Sequence, residues 1–153
     1  MKSWLTYQWL TLRSATKTQW ALFLLGTLTL ATGIGAGILP SSLGAGPVDA
    51  FFAGTADVTP FTVGTVVMAI SVGLVVFAWI LGTPPLVGTF ISFFLFGILV
   101  DLALFFAPAF ETLPAQIAQW LVGVVLLAVG AGLTIGSGVG ASAVDMATVA
   151  LAV

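Results

Sequence analysis

Leu86 to Phe106 reads LVGTFISFFLFGILVDLALFF, and Asp101 is its single ionisable residue. The run holds no turn cluster and is far longer than a strand. As a helix rising about 1.5 Å per residue, it crosses a hydrocarbon core of roughly 30 Å. Three further stretches are of the same kind: Trp20 to Leu39, Phe61 to Leu81 and Ile117 to Ile135. The expected fold class is therefore all-α, a polytopic transmembrane helical bundle of four spans.

Composition agrees. The chain is 60% hydrophobic and 5% charged, with a mean hydropathy of +1.26, whereas soluble domains carry roughly 25% charged residues. Cysteine and histidine are both absent, which removes thiol nucleophiles, imidazole bases and the usual zinc and haem ligand sets. The expectation is a chain that is not an enzyme, with no cofactor and no metal. Five carboxylates stand against three cations, so there is no basic patch for nucleic acid; the expected partner is the lipid bilayer, with a small solute of unknown identity.

All three cations, Lys2, Arg13 and Lys17, precede the first span. The positive-inside rule then puts the N-terminus in the cytoplasm of a multi-pass inner (cytoplasmic) membrane protein, with Glu111 on the outer side. Residues 1–19 read as a cytoplasmic segment, with Leu5, Trp9 and Leu12 at helical spacing for an interfacial helix. The apolar run after them is longer than a signal-peptide core, so it is expected to be retained. Trp20, Trp79 and Trp120 are expected near span ends, Thr59-Pro60 is expected to cap the second span, and the Thr83-Pro84-Pro85 turn makes spans two and three antiparallel neighbours.

A small pattern recurs after the first span and after the fourth. Leu43-Gly44-Ala45-Gly46-Pro47-Val48-Asp49 is echoed by Val139-Gly140-Ala141-Ser142-Ala143-Val144-Asp145. Setting Asp49 on Asp145 also brings Ser41 onto Ser137, Leu30 onto Leu126 and Leu25 onto Leu121. Three spans separate the copies, so the second unit is inverted, a plan that recurs in secondary transporters built on broken helices. Residues 20–107 form the first repeat, with its break at 44–49; residues 117–153 begin a second, incomplete one, with its break at 140–145. Gly44, Gly46 and Pro47, and Gly136, Gly138 and Gly140, are the helix-break and close-packing positions. Gly33, Gly35 and Gly37 with Gly132, Gly136 and Gly140 have the small-residue spacing that lets spans one and four cross at the bundle centre. The glycines around Gly130 and Gly138 lack the strand, lysine and acidic partner of a nucleotide loop.

The candidate polar or ion-contacting residues are Asp49, Asp101 and Asp145. Asp49 and Asp145 fall near the third position of a new helical turn. Two readings stand for them: capping of orphan N–H groups, or contact with an ion, proton or polar solute. Asp101 sits about four residues from the end of its span, where snorkelling competes with function.

These residues resemble the YczE/YitT-like integral membrane proteins of bacteria and archaea. Gly44-Ala45-Gly46-Pro47-Val48-Asp49 matches the first copy of their Gly-x-Gly-x-x-Pro-x-Asp-like segment, and Gly140 to Asp145 matches the second without its proline. Gly88-Thr89, Gly97 and Asp101-Leu102 match their third span. The resemblance, from about residue 24 onward, implies architecture more than activity. It also implies two spans beyond the second motif, so the second repeat is expected to be incomplete: either the sequence is a fragment, or the truncated unit is completed by another chain, as in a homo-oligomer. The functional expectation is a transporter or permease for a small polar solute or ion; the alternative is a structural or accessory membrane subunit.

Overall fold

The computed structural model describes residues 15–82, 85, 87–140 and 151. The basic N-terminal segment before Ala15, the Thr83-Pro84 turn and the second motif from Ala141 to Asp145 lie outside the described residues. Five helices follow in order: α1 (Lys17–Thr32), α2 (Pro47–Asp57), α3 (Val63–Ile80), α4 (Val87–Phe106) and α5 (Leu113–Gly136). α1 continues through a π-helical stretch, Gly33–Ile38, and a 3₁₀ turn, Leu39–Ser41.

Four helical segments are long and apolar enough to cross a bilayer: Lys17–Ser41, Val63–Ile80, Gly88–Phe106 and Leu113–Gly136. The chain is an all-α polytopic membrane protein. The first segment is 50% buried within the protein, against 33%, 28% and 22% for the others in order, so α1 is the central helix. The remaining helices turn large apolar side chains such as Phe77, Ile98, Phe105 and Val125 outward, where lipid rather than water is the compatible solvent.

α1 starts on a capping box, in which Gln19 N–H donates to Thr16 Oγ1 at 3.3 Å and Thr16 N–H donates to Gln19 Oε1 at 2.8 Å. It then packs antiparallel on α5, backbone to backbone. A Cβ on Gly33 would sit 2.7 Å from Gly123 O, and one on Gly123 would sit 2.8 Å from Gly33 O and 2.9 Å from the Gly37 backbone. Gly26 and Leu30 close on Gly130 and Thr134 in the same way. Without a hydrophobic force between helices in lipid, such close approach is what holds them together.

The π-helical stretch has a local cause. Pro40 has no N–H, so Ala36 O lacks its normal donor four residues on. The helix widens, with Leu39 N–H bonding Ile34 O five residues back. Gln119 of α5 supplies the missing donor: its Nε2 reaches Ala36 O at 2.8 Å and Pro108 O at 3.0 Å.

α3 and α4 form the second antiparallel pair. Thr62, rather than Thr59, caps α3: its Oγ1 accepts from Thr65 N–H at 3.2 Å and donates to Asp101 Oδ2 at 2.6 Å. The expected cap at Thr59-Pro60 fails because the Thr59 hydroxyl donates to Thr55 O at 2.8 Å and so closes α2 instead. Asp101 Oδ1 accepts from Gly64 N–H at 2.7 Å, so a residue of α4 satisfies an orphan donor of α3.

α2 runs beside α3, with Phe52 buried on Val66 and Val67 and with Ala56 and Val63 packed against them. Its first turn therefore lies level with the middle of α3, with Asp49 half-buried and Phe52 the buried residue of an otherwise largely exposed helix. Trp120 belongs to this arrangement. It stands two turns inside α5 rather than at its opening, and its Nε1–H donates to Gly44 O at 3.0 Å.

The crossing glycines also differ from the expected set. Gly35 packs on α4 at Val100 and Ala103, while a Cβ at Gly132 or Gly136 meets no atom within 4 Å. Gly35 stands two residues from both Gly33 and Gly37, about 200° round the helix at 3.6 residues per turn, and so faces α4 rather than α5.

Gly123→Ala is expected to cost about 1–3 kcal/mol through overpacking, whereas Gly132→Ala leaves stability unchanged or raises it; thermal unfolding in mild detergent measures both. Ser42, a non-glycine at φ 59°, occupies a conformation that costs about 1–2 kcal/mol for an L side chain. Ser42→Gly should raise the unfolding temperature in the same assay.

Candidate functional site

A cavity of about 240 Å³ opens beside the first turn of α2. α1 contributes Thr27, Leu30 and Ile34, α3 Val67 and Ser71, α4 Ser92, Phe93 and Phe96, and α5 Leu127, Ala131 and Thr134; Val48, Asp49 and Phe52 of α2 complete the wall. The volume is below the roughly 300 Å³ at which drug-sized sites begin, so it suits a small solute.

Asp49 is the charged group of this cavity. Gly46 is the N-cap of α2 and Pro47 its first residue, which makes Asp49 the third, as its position after the glycines predicts. The carboxylate does not cap the helix: among the described residues no group donates a hydrogen bond to it. Ala50 N–H bonds Gly46 O at 2.8 Å and Pro47 has no N–H, so the unspent donors of the turn are those of Val48 and Asp49. Asp49 lies outside the four spans, and burial pushes its carboxyl above the ordinary aspartate range.

The cavity hydroxyls fall into two kinds. Thr27 donates to Phe23 O at 2.8 Å and Thr134 to Gly130 O at 2.9 Å, so both spend their hydrogens on their own helices. Ser71 and Ser92 are 5% and 6% exposed and have no hydrogen-bond partner among the described residues. Sequence reasoning passed over both, because an isolated serine in an apolar span carries no pattern.

The other candidates are placed elsewhere. Asp101 is held by Thr62 and Gly64 and is absent from the cavity wall, so the structure does not bring it together with Asp49. Asp145 lies outside the described residues. Gly44 has φ 106° and Gly138 φ 67°, both left-handed breaks. Gly140 packs on the Gly88 and Thr89 backbone, and Gly136 ends α5.

The two motif regions share local geometry. Ser41 Oγ donates to Ile38 O at 2.6 Å and accepts from Leu43 N–H at 3.4 Å. Ser137 Oγ donates to Thr134 O at 2.6 Å and accepts from Val139 N–H at 3.3 Å. Both serines are 0% exposed, and each is followed by a left-handed residue, Ser42 or Gly138. At the other end, Thr16 and Thr112 are the N-caps of α1 and α5. All these pairs keep the alignment that sets Asp49 on Asp145, and α1 and α5 run in opposite directions.

Comparison with known proteins points to a membrane protein. The chain is 31% identical over 133 residues to the uncharacterized membrane protein YczE of Bacillus subtilis (strain 168), across 83% of this chain and 60% of that protein. It thus spans less than two thirds of that relative's length. No solved structure matches it. The model of a family of unknown function, DUF6198, matches residues 16–153. With nearly the whole described bundle inside that match, the chain belongs to the DUF6198 family of YczE-like membrane proteins.

Proposed function

We propose that this protein is a non-enzymatic permease or transporter for a small polar solute or ion, built as an inverted repeat in the inner (cytoplasmic) membrane with its N-terminus in the cytoplasm. The observation that carries this reading is Asp49: a half-buried carboxylate without a hydrogen-bond donor among the described residues, at the first turn of a helix laid against α3, beside a cavity. Burying a charge without partners is unfavourable, so a carboxylate kept there is one that a passing cation or proton can use. The repeated serine turns and helix caps support the inverted repeat, and transporters of that plan place their sites at interrupted helices.

A second reading, a structural or accessory subunit, is favoured by Asp101, whose carboxylate is fully engaged in joining α3 to α4. The two readings separate at Asp49. A raised carboxyl pKa means that the folded state binds the proton more tightly than the unfolded one. The resulting stability is then present at low pH and lost as pH rises through the folded value.

Asp49→Asn should therefore unfold at a higher temperature than wild type at neutral pH while abolishing solute flux in proteoliposomes. An unchanged flux supports the accessory reading. For orientation, Thr112→Cys in this cysteine-free background should react with an impermeant thiol reagent in intact cells. Labelling only after lysis reverses the topology.

A further inference from the structure

We infer that the cavity beside Asp49 binds a small organic cation, an amine with a compact apolar body, in preference to an inorganic ion or a neutral solute. This rests on the solute-binding reading above and names its substrate class.

Charge comes first. Among the described residues the wall carries one carboxylate and no lysine or arginine, so an anion would meet repulsion while a cation finds its counter-charge. A divalent metal ion is short of ligands there. Calcium takes about 6–8 oxygens and magnesium about six in near-ideal octahedral geometry, and no group of three or more acidic residues occurs among the described residues.

The rest of the wall decides what kind of cation. Phe52, Phe93 and Phe96, with Leu30, Ile34 and Val67, make most of it apolar, and a hydrated inorganic ion would forfeit hydration against these side chains without replacement. An alkylammonium places its carbon body there and leaves its N–H donors for oxygen. Ser71 and Ser92 offer hydroxyl acceptors that nothing in the described protein occupies, on residues more than nine-tenths buried. One ammonium group carries three donors, which the Asp49 carboxylate and the hydroxyl oxygens of the wall can accept.

The test uses the full chain, purified in mild detergent, and reads the shift in unfolding temperature on adding butylammonium chloride, sodium chloride, or butanol at matched concentration. Butylammonium should raise the temperature in a saturable way, with no comparable rise from sodium or butanol. Asp49→Asn should weaken butylammonium binding by at least about tenfold, the scale of a lost charged hydrogen bond. The Ser71→Ala, Ser92→Ala double variant, which keeps the carboxylate, should weaken it measurably and provides an independent check if the aspartate variant folds poorly.

Equal shifts with butanol, or butylammonium binding that survives Asp49→Asn, overturn the inference. If Asp49-dependent flux of another solute is found with no butylammonium effect, the amine assignment falls and the transport reading stands. If neither binding nor flux depends on Asp49, both fall.

Discussion

Two backbones in direct contact set the geometry of this bundle. Where Gly33 and Gly37 of α1 meet Gly123 of α5, no side chain stands between the helices, and the π-helical stretch occupies the same few residues. The stretch exposes Ala36 O and the close approach brings Gln119 within reach of it, so one proline, three glycines and one glutamine depend on each other. In lipid an unsatisfied carbonyl costs several kcal/mol, which makes the glutamine as much a part of the crossing as the glycines. The central position of α1 follows, and with it the cavity against which the first turn of α2 lies.

The spans were legible because bilayer thickness imposes a length that apolar composition alone reveals. The start of α2 was legible as well, since Gly46-Pro47 is a strong initiation signal. The crossing face was not. Gly33 and Gly37, four residues apart, do share it, but Gly35 lies about 200° round the helix and packs on α4, and on α5 the contact falls to Gly123 and Gly130 rather than to Gly132 and Gly136. The cap on α3 was misplaced for a related reason: Thr62 and Thr59 read alike locally, and the partner that distinguishes them, Asp101, lies 39 residues away.

At the site, Asp49 stood out because a charge in an apolar chain is conspicuous. Asp101 stood out for the same reason, yet the structure gives the two carboxylates different surroundings. One receives a hydroxyl and a backbone N–H; the other, within the described residues, receives nothing. Ser71 and Ser92 acquire their interest only from the cavity they share, a property of tertiary arrangement that no single stretch of sequence contains.

The bond set at Asp101 also has a mechanical meaning. It clamps α3 to α4 at one end, while Val75 and Phe93 hold the pair further along, and the glycine contacts clamp α1 to α5. The cavity is walled by both pairs. The pairs are also locked to each other, because Gly35 lies on the Val100 backbone of α4 and Gly140 on the backbone of Gly88 and Thr89. The two halves therefore meet at fixed backbone contacts rather than along a slip plane, and the volume beside Asp49 is set by where those contacts hold them.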